Sequence, residues 1–260
     1  MRFELNHEAI ARRLANLPGH MGVYICDTVT GETFAHQAED PIEAASVIKL
    51  TVMAEAFRQF EAGKLNPDEL VEISKAQHLP SCGALSYLHD GIRVTWKDLV
   101  TLMIILSDNT ATNILIDKLG VEKINAGIAH DGLVGTQLNR KLFQPHLARQ
   151  GIKNYVSAAG IGRLMQLLLE GKVVSEKASE EMLRIMGDQR LNGKMPFHLH
   201  DKGIRCAHKT GEDDGVTHDA GVIWAEHPVI FVFLSEKTDV PAAERLLQEL
   251  AAHATGIMEC

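Results

Sequence analysis

The chain has 260 residues, enough for one large core or two interleaved lobes, and 45% of them are apolar, as in an ordinary water-soluble globular protein. A formal net charge of -8 excludes the basic footprint of a nucleic-acid binder. No apolar run approaches the roughly 18 residues that cross a bilayer. The start, Met1 to Glu8, lacks the apolar segment of a secretory leader, so a cytoplasmic protein is expected, with a trimmed exported form as the other reading. Cys26, Cys82, Cys206 and Cys260 form no CxxC pair and suggest reduced thiols rather than a disulfide framework.

In chain order, residues 8–17 predict a short amphipathic helix, with Ile10, Leu14 and Leu17 on one face. Gly22–Cys26 and Glu32–His36 predict strands joined by a hairpin at Thr30-Gly31. Helical periodicity dominates from Ser46 to about Met186, in Ser46–Glu61, Trp96–Leu106, Thr110–Leu119, Ala158–Leu169 and Glu176–Met186. Strand character returns at Arg205–Lys209, Ala220–Ala225 and Val229–Leu234, and a last helix is predicted from Ala242 to His253. Two strands at the start and three at the end imply an α+β fold. The ends would close one five-stranded antiparallel sheet flanked by the terminal helices, with a helical lobe between. The expected division is 1–43 with 190–260 for the sheet and 44–189 for the helices, with the active site at the seam.

Three short motifs carry chemistry. In Ser46-Val47-Ile48-Lys49 a hydroxyl and an amine lie one helical turn apart, so the lysine can act as the base a serine nucleophile needs. Read alone, the same four residues are an N-cap with a lysine one turn on. Ser107-Asp108-Asn109 falls in a helix-to-helix turn, where all three residue types also serve as caps. Its chemical reading gives Ser107 a proton to shuttle and Asn109 a substrate amide to bind. Lys209-Thr210-Gly211 closes a strand-like run, with glycine allowing close approach of a ligand to the backbone and lysine attracting a carboxylate.

In this order and on these element types, the trio resembles the signature of the serine β-lactamases and penicillin-binding proteins, closest to the class A enzymes. Gly22–Ile25, Ala44-Ala45-Ser46 and His218-Asp219-Ala220-Gly221 match the flanking text, and the resemblance covers nearly the whole chain. It implies acylation of Ser46, proton movement by Lys49 and Ser107, and an oxyanion hole from the backbone N–H groups of Ser46 and Glu212. It further implies that Asn109, Lys209, Thr210 and Gly211 bind substrate.

One departure stands out. Class A enzymes carry a glutamate before a loop proline to activate water for deacylation, and here Gln144 precedes Pro145. No Asp or Glu occurs between Asp131 and Glu170, so no shift of alignment supplies a carboxylate. Glutamine can orient water but cannot take its proton. His146 is the one neutral base in that loop, and reads more plainly as one surface histidine among 13. The family's disulfide is missing, and Cys82 falls, by resemblance, near the pocket mouth.

The expectation is a serine hydrolase that opens β-lactams through a Ser46 ester, with impaired deacylation. The alternative is an esterase or peptidase with another acyl substrate, and a third reading is a binding protein without turnover. The expected partner is a small acyl substrate, with no nucleic acid, no membrane, no cofactor and no metal, and the chain is expected to act as a monomer. His198-Leu199-His200-Asp201 reads as a polar loop rather than a metal site, and Glu212-Asp213-Asp214 as a solvated turn.

Overall fold

A computed structural model describes residues 5–80 and 83–258, so Cys82 and Cys260 lie outside the described residues. The elements run α1 (His7–Ala15), β1 (His20–Asp27), β2 (Thr33–His36), β3 (Ile42–Glu43), α2 (Lys49–Glu61), β4 (Leu70–Ile73), β5 (Ile92–Thr95), α3 (Trp96–Ile105) and α4 (Asn109–Leu119). They continue as α5 (Val121–His130), α6 (Pro145–Arg149), β6 (Tyr155–Val156), α7 (Ala158–Leu169), α8 (Glu176–Gly187), β7 (Arg205–Asp213), β8 (Val216–Trp224), β9 (Pro228–Glu236) and α9 (Val240–His253).

The predicted five-stranded antiparallel sheet is present, in the order β2-β1-β9-β8-β7. Its central strand explains itself. Along β9, Ile230, Val232 and Leu234 enter the core shared with the helices, while Val229, Phe231 and Phe233 enter a second core on the other face. A strand buried on both faces has no polar side, so Val229–Leu234 is an unbroken apolar run. Both terminal helices cover that second face: Ile10 and Leu14 of α1 and Leu246, Leu247 and Leu250 of α9 pack there. Ala207, Ala220 and Val222 turn the opposite face towards α7 and α8.

Between Ser46 and Met186 the helices are interrupted. β4 pairs with β5 and β3 with β6, two ladders of four and two residues that are too short to show a period in sequence. The expected helix from Ser46 begins instead with a 3-10 turn, Ala45–Ile48, and becomes α-helical only at Lys49. Side chains three apart eclipse in a 3-10 turn, so Ser46 and Lys49 keep the shared face expected of them. Strand β7 runs on through Asp213, so Lys209-Thr210-Gly211 is mid-strand and Glu212 and Asp213 are strand residues rather than a solvated turn. The reason is pairing: Glu212 and Asp213 lie opposite Thr217 and Val216, and the hairpin turns at Asp214-Gly215. Among the described residues no helix is long and apolar enough to cross a membrane.

His218 ties the sheet to the segment that leads into Ser46. Its Nδ1 accepts from Ser235 N at 3.0 Å and its Nε2 donates to Glu43 O at 2.8 Å, which fixes one neutral tautomer. Burial pushes its pKa down from 6.5 to about 4. The unfolded chain therefore takes up this proton first, and the associated stability is present above pH 6.5 and lost as pH falls towards about 4. The shift corresponds to a loss of on the order of 3 kcal/mol. Denaturant unfolding at pH 7 and 4.5 tests it: His218→Asn should lose less stability between the two than the unaltered protein, and equal losses would refute the assignment.

Candidate active site

The first motif sits where β3 leads into α2. Ala45 has φ 41°, a left-handed conformation that costs a residue with a Cβ about a kilocalorie per mole, and it delivers Ser46 half-buried at a cleft. Ser107, at φ 52° between α3 and α4, and Phe143, at φ 55° in the loop opposite, are strained in the same way. Ala45 and Phe143 line the cleft and Ser107 lies buried beneath it, so three of the strained residues surround one site.

Beneath Ser46 two fully buried lysines meet. Lys49 Nζ donates to Ser107 O at 2.8 Å, to Ser107 Oγ at 3.0 Å and to Asn109 Oδ1 at 2.8 Å. Lys209 Nζ donates to the same Ser107 Oγ at 3.1 Å and to Thr210 O at 2.8 Å. Ser107 Oγ therefore accepts from a lysine Nζ on each side, and its own proton is left to point elsewhere. Buried polar groups are costly unless hydrogen-bonded, and oxygens of Ser107, Asn109 and Thr210 meet that need.

Asp108, at the centre of the second motif, is the cap its composition suggested. Its Oδ1 accepts from Ala111 N at 3.0 Å and its Oδ2 from Leu85 N at 2.9 Å, so one carboxylate starts α4 and holds the loop after Gly83. Asn109 Nδ2 reaches the same loop through Pro80 O at 3.0 Å. Gly211 lies against the turn that bears Ser46: a Cβ there would stand 3.2 Å from Val47 Cγ2 and 2.9 Å from the buried His218 ring.

The cleft has a volume of about 360 Å³. Ser46, Asn109, Gln144, Glu212 and Asp213 line it, together with Glu43, Leu142 and Phe143. Of the expected site residues, Ser46, Lys49, Ser107, Asn109, Lys209, Gly211, Glu212 and Gln144 thus gather at or directly beneath one cleft. Thr210 is buried beside them, and its carbonyl accepts from Lys209 Nζ. His146 is exposed and stands outside the cleft lining. Among the described residues no group of His, Cys, Asp or Glu is arranged to hold a metal.

Several residues with a part in this geometry carry no sequence signal. Gln189 donates from Nε2 to Ile104 O at 3.0 Å and to His208 O at 3.2 Å, tying the end of α3 to β7 beside Ser107 and Lys209. Lys194, also buried, donates to Gly211 O at 3.1 Å and Thr217 Oγ1 at 2.7 Å and lies 3.1 Å from Glu212. Asn154 Oδ1 accepts from Asn139 N and Arg140 N, and its Nδ2 donates to Arg140 O, closing the neck of the loop that bears Gln144.

A model of the β-lactamase enzyme family matches residues 6–258. The chain belongs to this family and is a hydrolase. Among β-lactamase-family proteins, β-lactamase CARB-3 of Pseudomonas aeruginosa is 26% identical over 237 residues, 88% of this chain and 81% of that one. β-lactamase 3 of Bacillus cereus is 26% identical over 257 residues, 94% and 78% of the two chains. A β-lactamase from Sphaerobacter thermophilus superposes with a TM-score of 0.89 at 30% identity, over 98% of this chain and 99% of that one. The fold of PBP-A matches with a TM-score of 0.87 at 24% identity, over 98% of each chain.

Proposed function

We propose that the protein opens β-lactams through an ester on Ser46 and releases the product by hydrolysis more slowly than family members with a loop carboxylate. The observation that carries this reading is the hydrogen-bonded chain Lys49–Ser107–Lys209 under a serine at a cleft. Lys49, acting as the neutral amine, takes the Ser46 proton as Oγ attacks the lactam carbonyl and hands a proton on to Ser107, and backbone N–H groups of Ser46 and Glu212 stabilise the oxyanion. Ser107 passes a proton to the ring nitrogen as the C–N bond breaks, while Lys209 holds the substrate carboxylate and Asn109 its side-chain amide. Gln144 orients the water that follows without accepting its proton. No cofactor enters these steps, and the protein acts as a monomer on a small acyl substrate. The site then lies at the seam between the sheet part, 1–43 with 190–260, and the helical part, 44–189.

One observation favours a second reading, an esterase or peptidase with another acyl substrate. The loop and α6 present Gln144, Pro145 and Ala148 to the cleft, and no carboxylate.

Intact mass after mixing with penicillin G decides between them. A mass gain that appears and decays, and is absent in Ser46→Ala, supports β-lactam hydrolysis. A gain that persists leaves acylation without hydrolysis. With no gain and rapid turnover of small esters, the second reading replaces the first.

A further inference from the structure

We infer that Glu43 supplies the base that the loop lacks, holding and deprotonating the water that releases the acyl group from Ser46; this rests on the reading of Ser46 as the acylated nucleophile. Among the described residues three carboxylates line the cleft: Glu43, Glu212 and Asp213. The Glu212 side chain is 66% exposed and lies against Lys194, and Asp213 is exposed near the hairpin end of β7. Glu43 differs from both. Its side chain is only 18% exposed, and it stands three residues before Ser46 on the same cleft wall.

Its main chain is fixed from two sides. Glu43 N donates to Glu236 Oε2 at 3.0 Å, and His218 Nε2 donates to Glu43 O at 2.8 Å. Lys153 Nζ donates to Glu43 Oε2 at 2.6 Å, and that hydrogen bond holds the Lys153 ammonium above its ordinary range against the opposing effect of burial. The other carboxylate oxygen, Oε1, has no hydrogen-bond partner among the described residues, which leaves an acceptor for water on an anchored side chain. The titratable groups around this segment are Lys153, which holds Oε2, Tyr155, its register partner in β6, and Glu236 of β9, which accepts from its N–H, with His20 of β1 at 3.6 Å from Glu236. His218 of β8 holds the Glu43 carbonyl, and Arg140 of the loop lines the same cleft.

The step balances. Glu43 takes a proton from water as the water oxygen bonds to the ester carbon. The tetrahedral intermediate then expels Ser46 Oγ, the C–O bond breaks, and the proton held by the carboxyl returns to that oxygen. The products are a free acid and an intact serine.

The test separates the two half-reactions, with penicillin G as probe and intact mass as readout. In Glu43→Gln, Ser46 acylation should stay within about threefold of the unaltered protein, while decay of the adduct slows about 100-fold, the scale of a lost general base. A role in packing alone would slow both steps together, and that result overturns the inference. So does adduct decay at the unaltered rate, or an adduct that already persists in the unaltered protein. A second variant, Glu43→Asp, keeps a carboxylate at the same position and should restore part of the lost decay rate, and decay no faster than in Glu43→Gln refutes a carboxylate base. If no Ser46 adduct forms at all, the reading of the nucleophile fails, and this inference with it.

Discussion

With Lys49 changed to methionine, acylation of Ser46 by penicillin G is expected to fall on the order of 10³-fold, within the range for loss of a positioned base. The side chains have similar length, so the change removes one ammonium with little change of volume. Ser107 Oγ keeps its contact with Lys209 at 3.1 Å, but Ser107 O and Asn109 Oδ1 each lose a charged donor. That costs the fold about 1–3 kcal/mol for each acceptor left bare. Lys49→Arg separates charge from proton transfer, because a guanidinium keeps the positive charge and cannot release its proton at neutral pH. Both variants should lose acylation while circular dichroism shows the same helix content. Acylation within tenfold of the unaltered protein in Lys49→Arg would show that Lys49 acts as a charge and that another group is the base.

The second large effect is a gain. Changing Gln144 to glutamate puts a carboxylate on a residue that lines the same cleft as Ser46, immediately before the proline that starts α6. Decay of the penicillin adduct should then quicken. The gain should be largest, about 100-fold, in the Glu43→Gln background, where no other base competes for the water. In the unaltered background it should be smaller, since two bases acting on one water do not multiply. A Gln144→Glu protein whose adduct decays no faster in either background would place the water away from the loop.

These predictions rest on residues of two kinds. Ser46, Lys49, Ser107 and Lys209 were legible because their chemistry is local: each motif spans three or four residues, and the spacing puts its groups together on one element. The sheet was legible for a related reason, since Val229–Leu234 is apolar on both faces and Ala220–Ala225 nearly so. Glu43 and Gln189 were not legible. Glu43 belongs to a strand of two residues whose partner, β6, lies over a hundred positions away, and nothing near it in sequence marks a ladder. Gln189 is an ordinary amide at the end of a helix until α3 and β7 come within reach of it. The 3-10 start at Ala45 was missed because the same side-chain pattern suits both helix types over one turn. Glu212 and Asp213 were misread as a turn because their charge outweighed pairing partners that only the neighbouring strand reveals.

The strand order has a consequence for how the protein is made. β1 pairs with β2 on one side and with β9 on the other, Gly22 opposite Leu234. On the ribosome the first hairpin emerges early, yet its second edge has no partner until residue 236 has left the exit tunnel. The sheet core therefore closes only once β9 has emerged, and contacts of such long sequence separation form slowly. Until then Val23 and Ile25, which end fully buried, face water on a strand with one open edge. A nascent chain arrested before β9 should accordingly bind chaperones and be cut by protease within its first forty residues, whereas the finished chain should resist there.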